Sequence, residues 1–247
     1  MDYNRLLDKF DSLVYSGKFV DARELLESEK KRAKQCFDTT ALLAINNELI
    51  GFYRKQNCKN ECLYTINDTL TTLYDVKDKN SLFVGTIYIN IATAYSFFNL
   101  YKKAKENFDI AHSIYKQVLD KDDKNFGALY NNIASMYLLE KEYNQARQYY
   151  ILAVENATKN NSALDKAMSL VGICDTYDAS DLQNEKIIDG LLNEAFALVE
   201  NYPIKDNYFA FVCSKLMDNY AYYGYFIQAE MLKEWANERD WVILRVF

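Results

Sequence analysis

A gapless internal repeat with a 42-residue period, the offset between positions 88 and 130, constrains the fold of this chain more than any other sequence feature. Residues 88–111 align on residues 130–153, and eight matched positions carry aromatic, aliphatic or alanine side chains in both copies. A fixed period of about 20 to 50 residues is the signature of stacked supersecondary units. The matched pairs are Tyr88/Tyr130, Ile91/Ile133, Ala92/Ala134, Tyr95/Tyr137, Tyr101/Tyr143, Ala104/Ala146, Phe108/Tyr150 and Ala111/Ala153.

The spacing of these residues predicts that each copy is an antiparallel pair of helices. Residues 130–137 place their apolar side chains at i, i+3, i+4 and i+7, which is one face of a helix, and residues 146–153 continue on a second helix. The polar stretch 139–143 leaves room for a short turn between them. Ala134 and Ala146 lie where the two helices must approach closely, so Ala146→Leu is expected to overpack that crossing.

This set of positions resembles the tetratricopeptide repeat family, in which a small residue in each helix is flanked by aromatic or aliphatic residues. The strings Tyr130-Asn131-Asn132-Ile133-Ala134 and Tyr88-Ile89-Asn90-Ile91-Ala92, together with the long period, are similar to the repeats of kinesin light chains and bacterial peptide-sensing regulators. The resemblance implies an all-α protein, an α-α superhelix of the tetratricopeptide type.

Extending the period in both directions predicts about six hairpins in a single solenoid domain that covers residues 1–247. One Pro and seven Gly disfavour an all-β fold, and no Pro-, Gly- or Ser-rich linker divides the chain. Each hairpin buries its apolar face only against its neighbours, which predicts a right-handed superhelix whose concave face is lined by the first helices. The expected hairpins are 3–34, 39–75, 81–119, 125–159, 163–200 and 207–239, followed by an apolar segment at 240–247.

Charge and cysteine usage limit the partners and the compartment. The 35 acidic and 29 basic residues are mixed along the chain without a basic run, which argues against nucleic acid as a partner. No apolar stretch is long enough for a signal peptide or a membrane span, and five irregularly spaced cysteines are not a disulfide framework. The sequence therefore predicts a cytoplasmic protein with reduced thiols and no membrane contact.

Residues with catalytic or metal-binding chemistry are few. His112 stands on a predicted second helix without the pattern of a catalytic triad. Cys58 and Cys62 are one helical turn apart, but no second ligand pair accompanies them, and the run 120–124 lacks the Gly and Glu of a calcium loop. We predict neither an enzyme nor a metal or other cofactor, and an enzyme built on helical hairpins stays a minor alternative.

The candidate site is a row of first-helix residues that face the inner curve of the predicted superhelix. Asn90 and Asn132 are equivalent, and a carboxamide donates and accepts, so a ladder of Asn could hold the backbone of an extended peptide. Lys215 has no second cation beside it, which argues against a clamp for a C-terminal carboxylate. The full set is Asn47, Glu48, Asn90, Thr93, Phe97, Asn131, Asn132, Ser135, Leu139, Tyr177, Lys215, Asp218 and Tyr222.

Two functions fit these expectations. The first is a scaffold that binds a protein or an extended peptide in the groove. The alternative is the peptide-sensing module of a bacterial-type regulator without a DNA-binding domain of its own. The apolar segment Trp241–Phe247 has three possible roles: it covers the last hairpin, forms a homodimer contact or occupies the groove.

Overall fold

The computed structural model describes residues 3–177 and 182–237, and these residues form twelve α-helices without a strand among them. The prediction of an all-α fold is confirmed. The apolar segment at 240–247 lies outside the described residues. The helices are α1 Tyr3–Tyr15, α2 Phe19–Gln35, α3 Thr39–Lys55, α4 Lys59–Tyr74, α5 Leu82–Phe97, α6 Tyr101–Val118, α7 Asn125–Leu139, α8 Tyr143–Lys159, α9 Ala163–Cys174, α10 Leu182–Glu200, α11 Asn207–Tyr222 and α12 Phe226–Asn237.

Consecutive helices pair into hairpins, and the contacts among them define two compact units. Unit 1 contains α1 to α6, and α3 packs against both α2 and α5. Unit 2 contains α7 to α12, and its first helices pack in the order α7, α9 and α11. The expectation of one domain over the whole chain stays a prediction.

The repeated small residues lie at the helix crossings of each hairpin. Ala134 and Ala146 have no exposed surface and share one core cluster with Tyr150. Ala92 and Ala104 are equally inaccessible in the preceding copy. Each crossing therefore brings two backbones together, and the aromatic side chains fill the space on either side.

Two glycines form notches that receive tyrosine rings from a packed helix. A Cβ added to Gly85 in α5 would lie 2.5 Å from a ring carbon of Tyr115 in α6. A Cβ on Gly172 in α9 would lie 2.4 Å from a ring carbon of Tyr150 in α8. Glycine is required at both places because no side chain fits between the helix and the ring.

The turns inside the hairpins keep the 42-residue period and share one geometry. Asn57, Asn99 and Lys141 recur at that period and adopt φ values of 55°, 60° and 66°. Gly17 and Gly224 take the same left-handed conformation in the first and last hairpins, at φ 70° and 85°. At each turn two backbone N–H groups bond to carbonyls of the preceding helix, which ends the helix in a Schellman motif.

Candidate partner-binding surface

Ten of the thirteen predicted site residues fall into three rows on the first helices, counted back from the turn residue of each hairpin. The rows lie nine, six and two residues before the turn, so their members are spaced i, i+3 and i+7 and share one helix face. The first row is Glu48, Asn90, Asn132 and Lys215; the second is Thr93, Ser135 and Asp218; the third is Phe97, Leu139 and Tyr222.

The third row leaves large apolar side chains in solvent. Phe97, Leu139 and Tyr222 have relative exposures of 46%, 53% and 77%. In the second row Ser135 and Asp218 are also exposed. Each of these first helices therefore presents a polar strip that ends in an apolar or aromatic side chain.

In unit 1 the carboxamide of Asn90, a member of the predicted ladder, bonds to that of Asn47, another predicted site residue. Asn90 in α5 donates from Nδ2 to Oδ1 of Asn47 in α3, at 2.8 Å. Asn47 is 6% exposed, and the hydroxyl of Tyr3 in α1 donates to Glu48 Oε1 at 3.3 Å. These bonds link the first helices of successive hairpins, so Asn47 has a structural role.

In unit 2 the two neighbouring asparagines of α7 have different partners. Asn131 accepts a hydrogen bond from the hydroxyl of Ser169 in α9 at 3.0 Å. Asn132 donates from Nδ2 to the carbonyl of Ala128 in its own helix at 2.8 Å. Asn132 and Asn90 are therefore equivalent in sequence but differ in contacts, since the amide nitrogen of Asn90 bonds to a neighbouring first helix and that of Asn132 bonds within α7.

Tyr177 lies outside the three rows because α9 ends at Cys174, three residues before it. The guanidinium of Arg147 in α8 lies 3.8 Å from the centre of the Tyr177 ring. Arg147 also donates to the hydroxyl and the carbonyl of Thr176, at 2.9 and 2.8 Å. Stacking against a cation holds this ring against a second helix.

Asp175 is a partly buried carboxylate that sequence analysis missed. Its oxygens accept hydrogen bonds from Asn219 Nδ2 at 3.0 Å and from the Tyr223 hydroxyl at 2.9 Å, which links the end of α9 to α11. Burial raises the pKa of Asp175, although both hydrogen bonds act in the opposite direction. The partners belong to the next hairpin, 44 and 48 residues along the chain, so no local pattern identifies this contact.

Unit 1 also contains a partly buried carboxylate, that of Asp68, which lies among α2, α3 and α4. Asp68 forms ion pairs with Lys30 at 3.2 Å and with Lys34 at 2.8 Å, and it accepts a hydrogen bond from Asn46. Burial alone would raise the pKa of Asp68, but the contacts with Lys34, Lys30 and Asn46 hold it below its usual value. Lys30 is only 5% exposed, so this charge pair is part of the packing.

Burial shifts the pKa of two residues whose side chains could take part in chemistry, Cys62 and His112. Burial raises the pKa of the Cys62 thiol to about 12, so the group stays protonated and is a poor metal ligand at neutral pH. Burial also lowers the pKa of His112. Over the described ranges, no three His, Cys, Asp or Glu side chains are grouped as a metal would need.

A bilayer crossing needs a long apolar helix. None of the helices in residues 3–177 and 182–237 meets that requirement.

Comparison with solved structures identifies the class of fold. The chain is similar to BtubC (BKLC) from P. vanneervenii, with a TM-score of 0.60 and 16% identity over 94% of this chain and 98% of that one. It is also similar to TPR-like repeats of a putative kinesin light chain from Podosopora anserina, with a TM-score of 0.56 and 15% identity over 78% of this chain and 92% of that one. No protein-family model and no curated protein matches the sequence. The fold is therefore that of a tetratricopeptide-like α-solenoid, as the repeat predicted.

Proposed function

We propose that the chain is a non-enzymatic scaffold that binds a protein or an extended peptide on the exposed rows of its first helices. The observation that carries this proposal is the recurrence of Asn90, Thr93 and Phe97 on α5 at the same positions before the turn as Asn132, Ser135 and Leu139 on α7. Because these side chains recur on a first helix of each unit, each unit offers a partner similar contacts.

Each row has a distinct part in the proposed binding. Phe97 and Leu139 would bury their exposed surface against apolar side chains of the partner. The Asn90 amide nitrogen donates to Asn47, which leaves the Asn90 carbonyl oxygen to accept from a partner's backbone N–H. The side chains of Lys215 and Asp218 on α11 would add charged contacts at the edge of such an interface.

The cysteines support a cytoplasmic location for this scaffold. Cys62 and Cys174 are buried thiols inside the two units, and neither forms a disulfide. Such thiols are typical of proteins in a reducing compartment.

The test compares two double variants that each convert two half-exposed apolar residues to Glu. Phe97→Glu/Leu139→Glu changes the third row on the first helices. Ile110→Glu/Leu152→Glu is the matched control, because these residues are one repeat period apart on second helices and have exposures of 41% and 40%. Circular dichroism establishes that both variants are folded before binding partners are captured from a lysate of the native host.

A partner retained by the wild type and the control but lost by Phe97→Glu/Leu139→Glu supports the proposal. Equal loss or equal retention in both variants would contradict it. Alanine variants of Asn90 are less suitable, because they also remove the bond between α3 and α5. Recovery of a short peptide in place of a folded protein would favour the peptide-sensing alternative.

A further inference from the structure

The first and last described hairpins carry the same arrangement of large apolar residues around their turns. In α1–α2 the turn glycine is Gly17, and in α11–α12 it is Gly224; both are left-handed, at φ 70° and 85°. Each glycine has a Tyr two positions before it, a Phe two positions after it and a β-branched residue three positions after it. The N-terminal turn patch is Tyr15, Phe19 and Val20, and the C-terminal turn patch is Tyr222, Phe226 and Ile227.

All six side chains are accessible to solvent, with relative exposures between 42% and 77%. Within each patch the three side chains come from one short stretch of chain around a single turn, residues 15–20 and 222–227. Exposed apolar residues that occur singly need no explanation, but such clusters mark places where another surface binds. Each patch is therefore a candidate interface.

The other hairpins with a described turn lack the β-branched residue, although α5–α6 and α7–α8 keep apolar or aromatic residues two positions before and after the turn. Three positions after their turn residues they carry Asn60, Lys102 and Asn144, all of which are exposed and polar. The β-branched residue therefore distinguishes the two turn patches from the corresponding surface of the hairpins between them.

The charge distribution indicates which patch faces which. Residues 1–118 contain 17 Lys and Arg against 15 Asp and Glu, whereas residues 119–247 contain 12 against 20. The part of the chain that holds the N-terminal turn patch is slightly basic, and the part that holds the C-terminal turn patch is strongly acidic. Two copies are repelled when their acidic parts meet and attracted when unlike parts meet.

We propose that copies of this chain associate head to tail, with the N-terminal turn patch of one copy against the C-terminal turn patch of the next. Such a contact is heterologous, so it leaves one free patch at each end and can add further copies. The apolar side chains bury each other, while the opposite charges set the orientation. This association does not depend on partner binding at α5 and α7, and its two patches share only Tyr222 with the first-helix rows.

The test uses sedimentation velocity on the full chain over a range of concentrations up to about 200 µM, where contacts of micromolar to submillimolar affinity are populated. Val20→Asp blocks the N-terminal turn patch and Ile227→Asp blocks the C-terminal one. Asn144→Asp is the matched control, because it adds the same charge at the same position of a hairpin outside the patches. We expect the wild type and the control to form growing oligomers and each blocked variant to weaken association at least about tenfold, since a buried unpaired charge is costly.

Mixing the two blocked variants gives the decisive result. Val20→Asp retains an intact C-terminal turn patch and Ile227→Asp an intact N-terminal one, so the mixture should form one-to-one dimers and nothing larger. High salt should weaken wild-type association, because the unlike charges are screened. A wild type that stays monomeric, a blocked variant that still dimerises alone, or a mixture that stays monomeric would overturn the proposal.

Discussion

At the scale of single residues, Gly172 shows how closely two helices of unit 2 approach. The Tyr150 ring fills the space where a Cβ would stand, and its hydroxyl lies 3.1 Å from the Ser135 hydroxyl, so the ring is held at both ends. Overpacking by the added methyl group costs about 1–3 kcal/mol, against a gain in helix propensity of about 1 kcal/mol. We predict that Gly172→Ala lowers the free energy of unfolding by up to about 2 kcal/mol.

Urea unfolding followed by circular dichroism measures this effect. Gly51→Ala in α3 is the control, because no heavy atom lies within 4 Å of its added Cβ. That variant should gain about 0.5–1 kcal/mol from helix propensity alone. Equal stability changes in the two variants would mean that the Tyr150 ring moves aside without cost.

The two partly buried carboxylates should respond to pH with opposite signs. The folded-state pKa of Asp175 is raised, mainly by burial, so its ionised form costs stability above that pKa, and this cost disappears as the pH falls toward the unfolded value of about 4. The folded-state pKa of Asp68 is lowered, so it stabilises the fold above about pH 4 and loses this contribution below it.

Asparagine variants isolate each contribution. Between pH 7 and about pH 4, the stability of the wild type relative to Asp175→Asn should rise as the pH falls. The stability of the wild type relative to Asp68→Asn should be positive at pH 7 and should decrease below about pH 4. Denaturant unfolding at a series of pH values measures both differences, and parallel pH profiles for the two pairs would contradict the assigned pKa directions.

At the scale of the elements, one connection between helices contains a residue type that its backbone conformation disfavours. Phe37, between α2 and α3, has φ 54° and is 91% exposed, although a bulky residue rarely adopts the left-handed region. We predict that Phe37→Gly raises the free energy of unfolding by about 0.5–1 kcal/mol. The backbone penalty of about 1–2 kcal/mol is removed, and part of that gain is lost to the greater chain entropy of Gly.

Phe37→Ala separates backbone strain from the loss of an exposed ring. Alanine has a Cβ and keeps the left-handed penalty, so its thermal midpoint should stay near that of the wild type, while that of Phe37→Gly rises. An equal rise in both variants would assign the effect to the ring.

The helix pairs were predictable because each one repeats the same local pattern. Ala134 and Ala146 identified the close crossing, and the fold class followed from the 42-residue period. Tyr177 was predicted to line the groove, whereas α9 ends before it and its ring stacks on Arg147. The bond between Asn47 and Asn90 was also not foreseen, because a helical pattern shows which face a side chain occupies and not whether a neighbouring helix already binds it.

At the scale of the whole molecule, a repeated sequence pattern predicts stacking but not the division of the chain. A period gives every hairpin the same local signal, so it did not predict that α1 to α6 and α7 to α12 form two compact units.

Stacking of neighbours also predicts how far a local defect reaches. In a solenoid each repeat contacts only adjacent repeats, so destabilisation should decay with distance along the chain. We predict that Gly172→Ala accelerates amide hydrogen exchange in peptides from α8 to α10 and leaves α1 to α4 unchanged. Mass spectrometry of the exchanged peptides measures this, and uniform acceleration would show that the chain unfolds as a single cooperative unit.

The constant spacing of Asn57, Asn99 and Lys141 has an evolutionary consequence. Each interval from one turn to the next contains a complete second helix, a connection and a complete first helix, so the chain behaves as a series of interchangeable cassettes. Recombination between two copies would add or remove one whole cassette without shifting any helix face. Relatives of this protein should therefore differ in length by whole cassettes more often than by insertions within a helix.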